Sequence, residues 1–245
     1  MPRFFVDKRK ILGDTIYIDG DNVNHIKNVF RMKVGDELVL CDGCGNDYRA
    51  VIMTESFDCI TADIVNTVCS STEPCVKVTL YQGLPKGSKM DLIIQKNVEL
   101  GVSRIVPVIC RRTIVKLDKK DIKRKVDRWN KIAYEAAKQS GRGIVPCVAE
   151  PLAFVDAVDI AKTNNLLLIP YEIEKETRLK DVLKKNMMAC DVGVFVGPEG
   201  GFDEQEIDIA TCRGAIPVTL GDRILRTETA SMYMTSIIVY ELDQT

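Results

Sequence analysis

The chain has 245 residues, of which 46% are hydrophobic and 28% are charged, and its formal net charge is only -1. This composition excludes an intrinsically disordered protein, which would be poorer in hydrophobic residues and more strongly charged. We expect no membrane span and no signal peptide, because no apolar run reaches roughly 18 residues and charged residues come early at the N-terminus. Taken alone, the balanced charge also disfavours a nucleic acid as the partner, since nucleic-acid-binding proteins usually carry a basic excess.

The nine cysteines are scattered along the chain, which favours small buried side chains in a reducing cytoplasm. One pair, Cys41 and Cys44, has the spacing of a metal or redox motif. A structural zinc site needs four ligands, however, and the sequence has no second pair with this spacing and only one histidine, His25. Because Asp42 and Gly43 separate two apolar runs, the sequence predicts a hairpin turn here and no metal site.

Residues 1–72 are predicted to form a small β domain. Runs rich in Val and Ile alternate with turns rich in Gly and Asp, as in a small barrel or sheet. The predicted strands are residues 36–41, 47–53 and 59–65. A polar stretch at 70–74 interrupts this pattern, so we expect the domain boundary after residue 72.

The remainder of the chain alternates short apolar strands with helices, which predicts a mostly parallel sheet covered on both faces. We expect one helix to begin at Ser88, with Asp91 as its capping-box partner, and to end at Gly101. A long helix is also predicted, because apolar residues recur every three or four positions. We expect Asp118 to cap it and Ser140 to end it. The predicted strands are residues 76–81, 105–110, 166–169, 192–196 and 216–220.

A glycine-rich segment, residues 197–202, follows the fourth of these strands. In open α/β sheets ligands bind beyond the carboxyl ends of the strands, and glycines let a backbone approach a ligand closely. The segment matches neither the P-loop nor the dinucleotide-binding motif. Asp203 and Glu206 are predicted to form the capping box of the next helix. Glu199 has no such structural explanation and is a candidate functional residue.

A second cluster, residues 220–230, connects the last predicted strand to the last helix. Thr227 is expected to cap this helix, and Glu228 is expected to interact favourably with the dipole of its first turn. Arg226 is placed at a helix N-terminus, where the dipole disfavours a cation. A residue placed against its local preference is a candidate functional residue.

Together the two clusters resemble those of the RsmE-type 16S rRNA (uracil-N3)-methyltransferases of the SPOUT superfamily. The resemblance spans nearly the whole chain in the expected order, and its other segments are residues 3–4, 25–36, 86–91, 96–102, 128–129 and 135–146. It implies an α/β fold in which an N-terminal PUA-like β-barrel (residues 1–72) binds RNA. A SPOUT α/β domain (residues 73–245) with a C-terminal trefoil knot is implied to carry the active site, in a cytoplasmic homodimer.

The activity implied by the resemblance is S-adenosylmethionine-dependent methylation of N3 of a specific uridine in 16S rRNA of the small ribosomal subunit, a step of ribosome biogenesis. Arg226 would stabilise the uracil anion, and Glu228 or a water would accept the N3 proton. The residues implied to bind S-adenosylmethionine are Leu168, Pro170, Gly197, Pro198, Glu199, Gly200, Leu220, Gly221, Ile224 and Leu225. The residues implied to bind RNA are Arg3, Arg31, Arg112, Gln139 and Arg142, the last in cis or across the dimer.

Charge within segments gives a different result from the whole-chain charge. Residues 111–142 carry twelve basic and four acidic residues, a net charge of +8, whereas residues 191–245 carry ten acidic and three basic residues, a net charge of −7. A charged helix is usually a solvated face. With the resemblance, the basic segment is interpreted as a surface for RNA phosphates. The neutral total therefore excludes nothing.

Other functions remain open. A catalytically inactive RNA-binding module is disfavoured by the presence of Glu199, Arg226 and Glu228. A nucleotide-dependent α/β enzyme is disfavoured because both phosphate motifs are missing. A SPOUT methyltransferase acting on another RNA is an alternative, since the target nucleotide is implied by the resemblance alone.

Overall fold

The structure is a computed structural model that describes residues 1–114 and 118–243. It divides into two compact units. The first consists of Met1–Glu73 and Ala137–Val145, and the second consists of Pro74–Ala136 and the chain from Pro146 onward. One long helix crosses from the second unit into the first at residues 136 and 137.

The first unit is built on a six-stranded sheet in the order β1-β4-β5-β6-β3-β2. Its strands are β1 (Arg3–Phe5), β2 (Ile11–Leu12), β3 (Thr15–Asp19), β4 (Glu37–Cys41), β5 (Asn46–Glu55) and β6 (Cys59–Cys69). Strand β1 pairs with β4 in parallel, and the other pairs are antiparallel. The register shifts twice within the long β5–β6 pair, and such bulges bend a sheet. Helix α1 (Asp21–Asn24) and a π-helical turn (His25–Val29) follow β3.

The hairpin turn predicted at Cys41 and Cys44 is confirmed, because β4 and β5 pair antiparallel on either side of it. Asp42 stabilises the turn: its Oδ1 accepts the backbone N–H groups of Cys44 and Asn46 at 2.8 and 3.1 Å. Burial raises the pKa of Cys41 to about 11, so this thiol stays protonated at neutral pH. Within the described ranges, no three His, Cys, Asp or Glu side chains are grouped as metal ligands.

The second unit contains a parallel sheet in the order β10-β8-β7-β12-β11-β13, with β9 paired to β8. Its strands are β7 (Lys77–Gly83), β8 (Arg104–Ile109), β9 (Cys147–Val148), β10 (Leu152–Ala153), β11 (Leu166–Pro170), β12 (Asp191–Val196) and β13 (Ile216–Val218). The helices are α2 (Lys89–Glu99), α3 (Lys119–Ser140), α4 (Phe154–Ala161), α5 (Leu179–Lys185), α6 (Glu204–Cys212) and α7 (Thr227–Leu242). None of the described helices is long and apolar enough to cross a membrane.

Both faces of this sheet are buried, as predicted. Consecutive residues of a strand point to opposite faces, and Leu80 and Tyr81 in β7 are both buried. Tyr81 stacks on Phe195 with 4.5 Å between ring centroids, and Phe154 of α4 and Phe202 extend this cluster. Helix α7 packs on β7 and β12 beside α2 and α5, whereas α4 packs on β8 beside α6. The glycine-rich segment begins directly after β12, which pairs with β7 and is covered by helices on both faces, so its first residue is attached to the core of the sheet.

The predicted helix starts have mixed outcomes. Asp118 caps α3 as predicted, since its Oδ1 accepts the Asp121 N–H at 2.7 Å. Ser88 occupies the N-cap of α2 but makes no side-chain cap hydrogen bond, so the predicted capping box is wrong. The physical reason is that the Asp91 carboxylate is used elsewhere, in an ion pair with Arg128.

Candidate active site

A cleft of about 400 Å³ opens at the carboxyl ends of β11 and β12 in the second unit. Three segments line it: residues 170–172 at the end of β11, residues 197–199 and 201–202 after β12, and residues 219–227, which lead into the first residue of α7. Lys89, at the start of α2, completes the wall. The cleft therefore lies where ligands bind in open α/β sheets, and both predicted clusters contribute to it.

The glycine-rich segment follows a path that side chains would obstruct. A Cβ on Gly197 would lie 3.1 Å from the carbonyl carbon of Gly201, and Gly201 has a positive φ of 67°. The predicted capping box after the segment is confirmed, with the Asp203 N–H donating to Glu206 Oε2 at 2.9 Å. Glu206 also accepts the backbone N–H of Arg111 at 2.8 Å, so its carboxylate is structural.

Glu199 is held at the cleft by two lysines. Its Oε1 lies 2.9 Å from Lys89 Nζ and accepts the backbone N–H of Lys86 at 3.1 Å. Burial acts to raise the pKa of Glu199, but the hydrogen bonds from Lys89 and Lys86 outweigh it and leave this pKa below its ordinary value. The hydrogen bond to Glu199 in turn raises the pKa of Lys89. At neutral pH both groups are therefore ionised.

Lys89 also faces a second carboxylate. Its Nζ lies 3.7 Å from Glu228 Oε2, an atom that is buried and accepts no hydrogen bond among the described residues. Lys89 was not among the predicted site residues, although it lies in residues 86–91, a segment that carries the resemblance. Its two partners are remote in sequence, so only the folded chain reveals that one ammonium group joins them.

The start of α7 differs from the prediction in one respect. Arg226 is the N-cap residue and is exposed at the cleft, as its candidate role requires. Thr227 was expected to be the cap, and this is wrong: it is the first helical residue, and its hydroxyl donates to the Gly197 carbonyl at 2.6 Å. The hydroxyl oxygen accepts from Gln82 Nε2 at 2.9 Å, so a tertiary donor occupies the acceptor that the local pattern assigned to the helix.

The structure brings together most of the predicted cofactor-binding residues. Those that line the cleft are Pro170, Gly197, Pro198, Glu199, Leu220, Gly221, Ile224 and Leu225. Leu168 is instead fully buried within β11, two residues before Pro170. Gly200 lies outside the lining, and its carbonyl accepts a hydrogen bond from Arg112 Nη1 at 3.0 Å.

The predicted RNA-binding residues are placed in both units. Arg112 belongs to the second unit, beside the glycine-rich segment. In the first unit, Arg3 Nη2 lies 2.6 Å from Asp47 Oδ1, and the buried Arg142 pairs with Glu73 at 2.5 Å. Two further residues of this unit are exposed, Arg31 with a positive φ of 55° and Gln139 on the last turn of α3. Their RNA contacts stay predictions.

Comparison with family models identifies both parts of the chain. Residues 71–239 match a model described as an RNA methyltransferase domain, and residues 18–64 match a model described as an RNA methyltransferase PUA domain. The two matched segments lie in the order that the resemblance implies.

Individual relatives cover nearly the whole chain. Ribosomal RNA small subunit methyltransferase E of Bacillus subtilis is 34% identical over 99% of this chain and 98% of its own length. The enzyme of that name from Neisseria gonorrhoeae, solved with S-adenosyl methionine, is 34% identical with a TM-score of 0.83, covering 97% of this chain and 96% of its own. A Legionella pneumophila methyltransferase solved with bound SAM is 30% identical with a TM-score of 0.80, covering 96% of each chain. The chain therefore belongs to the ribosomal RNA small subunit methyltransferase E family.

Proposed function

We propose that the chain methylates N3 of a specific uridine in 16S rRNA of the small ribosomal subunit, with S-adenosylmethionine as methyl donor. It acts in the cytoplasm as a homodimer. Residues 1–72 bind RNA, and residues 73–245 carry the active site and end in a trefoil knot. The observation that carries the proposal is the cleft, because it joins a glycine-rich wall to the charged groups of Lys89 and Arg226, and Lys89 lies 3.7 Å from Glu228.

The cleft suits a cofactor that has no phosphate. Its glycine-rich wall lacks the Lys-Ser/Thr pair with which a P-loop grips phosphates. We assign cofactor binding to the predicted lining residues, with Leu168 and Gly200 supporting the wall from behind. When bound, S-adenosylmethionine supplies a methyl group activated by the adjacent sulfonium. The residues of the chain must then align the uridine, remove the N3 proton and stabilise the resulting anion.

Glu228 is the proposed proton acceptor. Uracil N3 carries a hydrogen and becomes a nucleophile only after losing it, so a base must lie within reach. Glu228 Oε2 accepts no hydrogen bond in the described structure, and Lys89 keeps a positive charge 3.7 Å away. Glu199 is less suited to this role, because Lys86 and Lys89 already donate to its carboxylate.

Arg226 is the proposed stabiliser of the uracil anion. Loss of the N3 proton spreads negative charge over the two flanking carbonyl oxygens, and a guanidinium group can donate to such oxygens. Arg226 is exposed at the mouth of the cleft and makes no side-chain cap hydrogen bond to its own helix. A guanidinium group has donors only, so it cannot cap the N–H groups of α7, and its donors face the cleft where the substrate is proposed to bind.

Exposed side chains support the proposed dimer, and three of the five proposed RNA-contacting residues are also exposed. Tyr240 on α7 is 84% exposed and Ile224 is 85% exposed, which is typical of apolar surface that a partner covers. The RNA contacts are assigned to the exposed Arg31, Arg112 and Gln139, to the partly buried Arg3, and to Arg142, which is buried and paired with Glu73. The target uridine has to be unpaired or splayed out, since N3 is used in base pairing.

Methyl transfer to defined substrates tests the proposal. Unmodified small subunits and naked 16S rRNA are incubated with labelled S-adenosylmethionine, and the RNA is digested to nucleosides. We expect label in 3-methyluridine. Label in another nucleoside, or label only in another RNA, would contradict the uracil-N3 assignment or the target. RNA binding without cofactor binding by calorimetry would instead identify an inactive module.

A further inference from the structure

A buried hydrogen-bonded chain connects three elements behind the cleft. Gln82, near the end of β7, is fully buried, and its Nε2 donates to Thr227 Oγ1 at 2.9 Å. Thr227 Oγ1 in turn donates to the carbonyl of Gly197 at 2.6 Å. The chain thus runs from the central strand, through the first residue of α7, to the first residue of the glycine-rich segment.

The neighbouring groups fix the direction of these hydrogen bonds. Gln82 Nε2 also lies 2.9 Å from the Gly83 carbonyl and 3.5 Å from the Val196 carbonyl, and both oxygens can only accept. The amide nitrogen must therefore face them. Thr227 has one hydroxyl hydrogen, which the Gly197 carbonyl accepts, so Thr227 accepts from Gln82.

This arrangement leaves an unsatisfied group. Gln82 Oε1 is buried and has no hydrogen-bond partner in the described structure. A buried acceptor without a partner is destabilising. An apolar side chain at this position would avoid that penalty but would lose the hydrogen bonds that Gln82 Nε2 donates to Thr227 and to the Gly83 carbonyl.

Strand β7 also contacts the glycine-rich segment directly, through Gly83. A Cβ on Gly83 would lie 2.5 Å from Pro198 Cδ and 2.6 Å from Pro198 N, so the Gly197–Pro198 peptide packs directly on the backbone of β7. That peptide lines the cleft and is fixed on one side by Gly83 and on the other by Thr227. In the sequence, Thr227 lies between Arg226 and Glu228.

We propose that Gln82 and Thr227 are positioning residues that fix the Gly197 carbonyl relative to Arg226 and Glu228. Through them, the wall that binds the cofactor and the turn that carries the reactive side chains keep one mutual geometry. This inference rests on the proposed function, because it assigns cofactor binding to that wall. Neither residue has to touch the reacting atoms.

Three variants of the full-length chain test the inference. Thr227→Val removes the hydroxyl while keeping the side-chain shape, and Thr227→Ser is the matched control that restores it. Gln82→Met removes the donor and also the unsatisfied acceptor. Calorimetric affinity for S-adenosylmethionine, kcat and KM for methyl transfer, and the melting temperature are measured for each.

We expect Thr227→Val and Gln82→Met to weaken cofactor affinity about tenfold, as the loss of one buried hydrogen bond predicts. Thr227→Ser should stay within about twofold of the wild type. Gln82→Met should weaken the affinity without lowering the melting temperature, because it also removes the unsatisfied acceptor. A merely structural role predicts a lower melting temperature instead. If Thr227→Val does not fold, Gln82→Met decides the question.

Two results would overturn the inference. One is wild-type affinity in both Thr227→Val and Gln82→Met, and the other is a loss in Thr227→Ser as large as that in Thr227→Val. Failure of the wild type itself to bind S-adenosylmethionine would contradict the proposed function and the inference with it. The wild-type measurement therefore separates the two failures.

Discussion

Single residues at the cleft divide into those held by the protein and those left for a substrate. Lys89 is held, because it lies 2.9 Å from Glu199 and 3.7 Å from Glu228. Arg226 is exposed, and Glu228 Oε2 accepts no hydrogen bond within the described chain. An exposed cation is what anion stabilisation requires, and Glu228, whose Oε2 is buried beside Lys89 and accepts no hydrogen bond from the described residues, is the proposed proton acceptor.

Arg226→Ala should abolish most methyl transfer while sparing the cofactor. Removing one donor that stabilises a developing anion lowers kcat by roughly 100- to 1000-fold. Single-turnover methylation and S-adenosylmethionine calorimetry are measured together. Arg223→Ala is the matched control, since Arg223 is also an exposed arginine lining the cleft. Full single-turnover activity in Arg226→Ala with normal cofactor binding would remove the proposed role.

Glu199→Gln should destabilise the protein in a pH-dependent manner. The pKa of Glu199 is lower in the folded chain than its ordinary value of 4.5. Its contribution to stability is therefore fully present above 4.5 and is lost as the pH falls through the folded pKa. The difference in urea midpoint between wild type and Glu199→Gln should be larger at pH 7 than at acidic pH.

Lys89 supplies the control for that titration. Because Lys89 gives the leading hydrogen bond that lowers the Glu199 pKa, the effect of Glu199→Gln at pH 7 should shrink in a Lys89→Met background. An equal difference at both pH values, or an unchanged effect in Lys89→Met, would show that this ion pair does not set the Glu199 pKa.

At the scale of elements, α2 and α7 bring Lys89 and Glu228 together because both lie in first turns. A buried polar group joins the two helices: Thr235 Oγ1 donates to Asn97 Oδ1 at 2.6 Å, and Asn97 Nδ2 donates to Ser231 Oγ at 3.2 Å. The Ser231 hydroxyl then donates to the Glu228 carbonyl at 2.9 Å. The pairing of the helices thus extends to the turn with the proposed base.

Asn97→Ala should destabilise the fold, because it leaves buried hydroxyl groups of Ser231 and Thr235 without this partner. The expected loss in the free energy of unfolding is about 1–3 kcal/mol, measured by urea denaturation. Gln205→Ala is the control, an exposed amide on α6 whose loss should change stability by no more than about 0.5 kcal/mol. A loss for Asn97→Ala as small as that of the control would mean that the group contributes nothing to helix pairing.

Elements could be predicted from sequence where their pattern is long or their partner is local. The five predicted strands of the second unit all overlap strands, because buried parallel strands are continuous apolar runs. The short strands β1, β2, β3, β9 and β10 and the helices α1, α4 and α5 were not predicted, since few residues cannot establish a period. Tertiary partners account for the failures at Ser88 and Thr227, because Arg128 and the Gly197 carbonyl lie far away in sequence.

At the scale of the whole molecule, a net charge of -1 conceals opposite charge on different segments. The expectation that balanced charge disfavours nucleic acid was wrong, since the chain belongs to a family of ribosomal RNA methyltransferases. Helix α3 shows how the basic segment is organised. It buries Trp129 and Ala133 and exposes Lys120, Lys123 and Lys131. A basic helix with one apolar face buried keeps its cations available for phosphates.

Replacing Lys120, Lys123 and Lys131 together by Gln should therefore weaken RNA binding most at low salt. Each lost phosphate contact reduces the slope of log affinity against log salt by about 0.7 to 0.9, so three contacts reduce it by about 2 to 3. Filter binding of 16S rRNA over a salt series measures this slope. The same change at Lys180, Lys184 and Lys185, all exposed on the separate helix α5, is the matched control and should leave the slope unchanged. Equal slopes for the two triple variants would mean that α3 is only a solvated helix face.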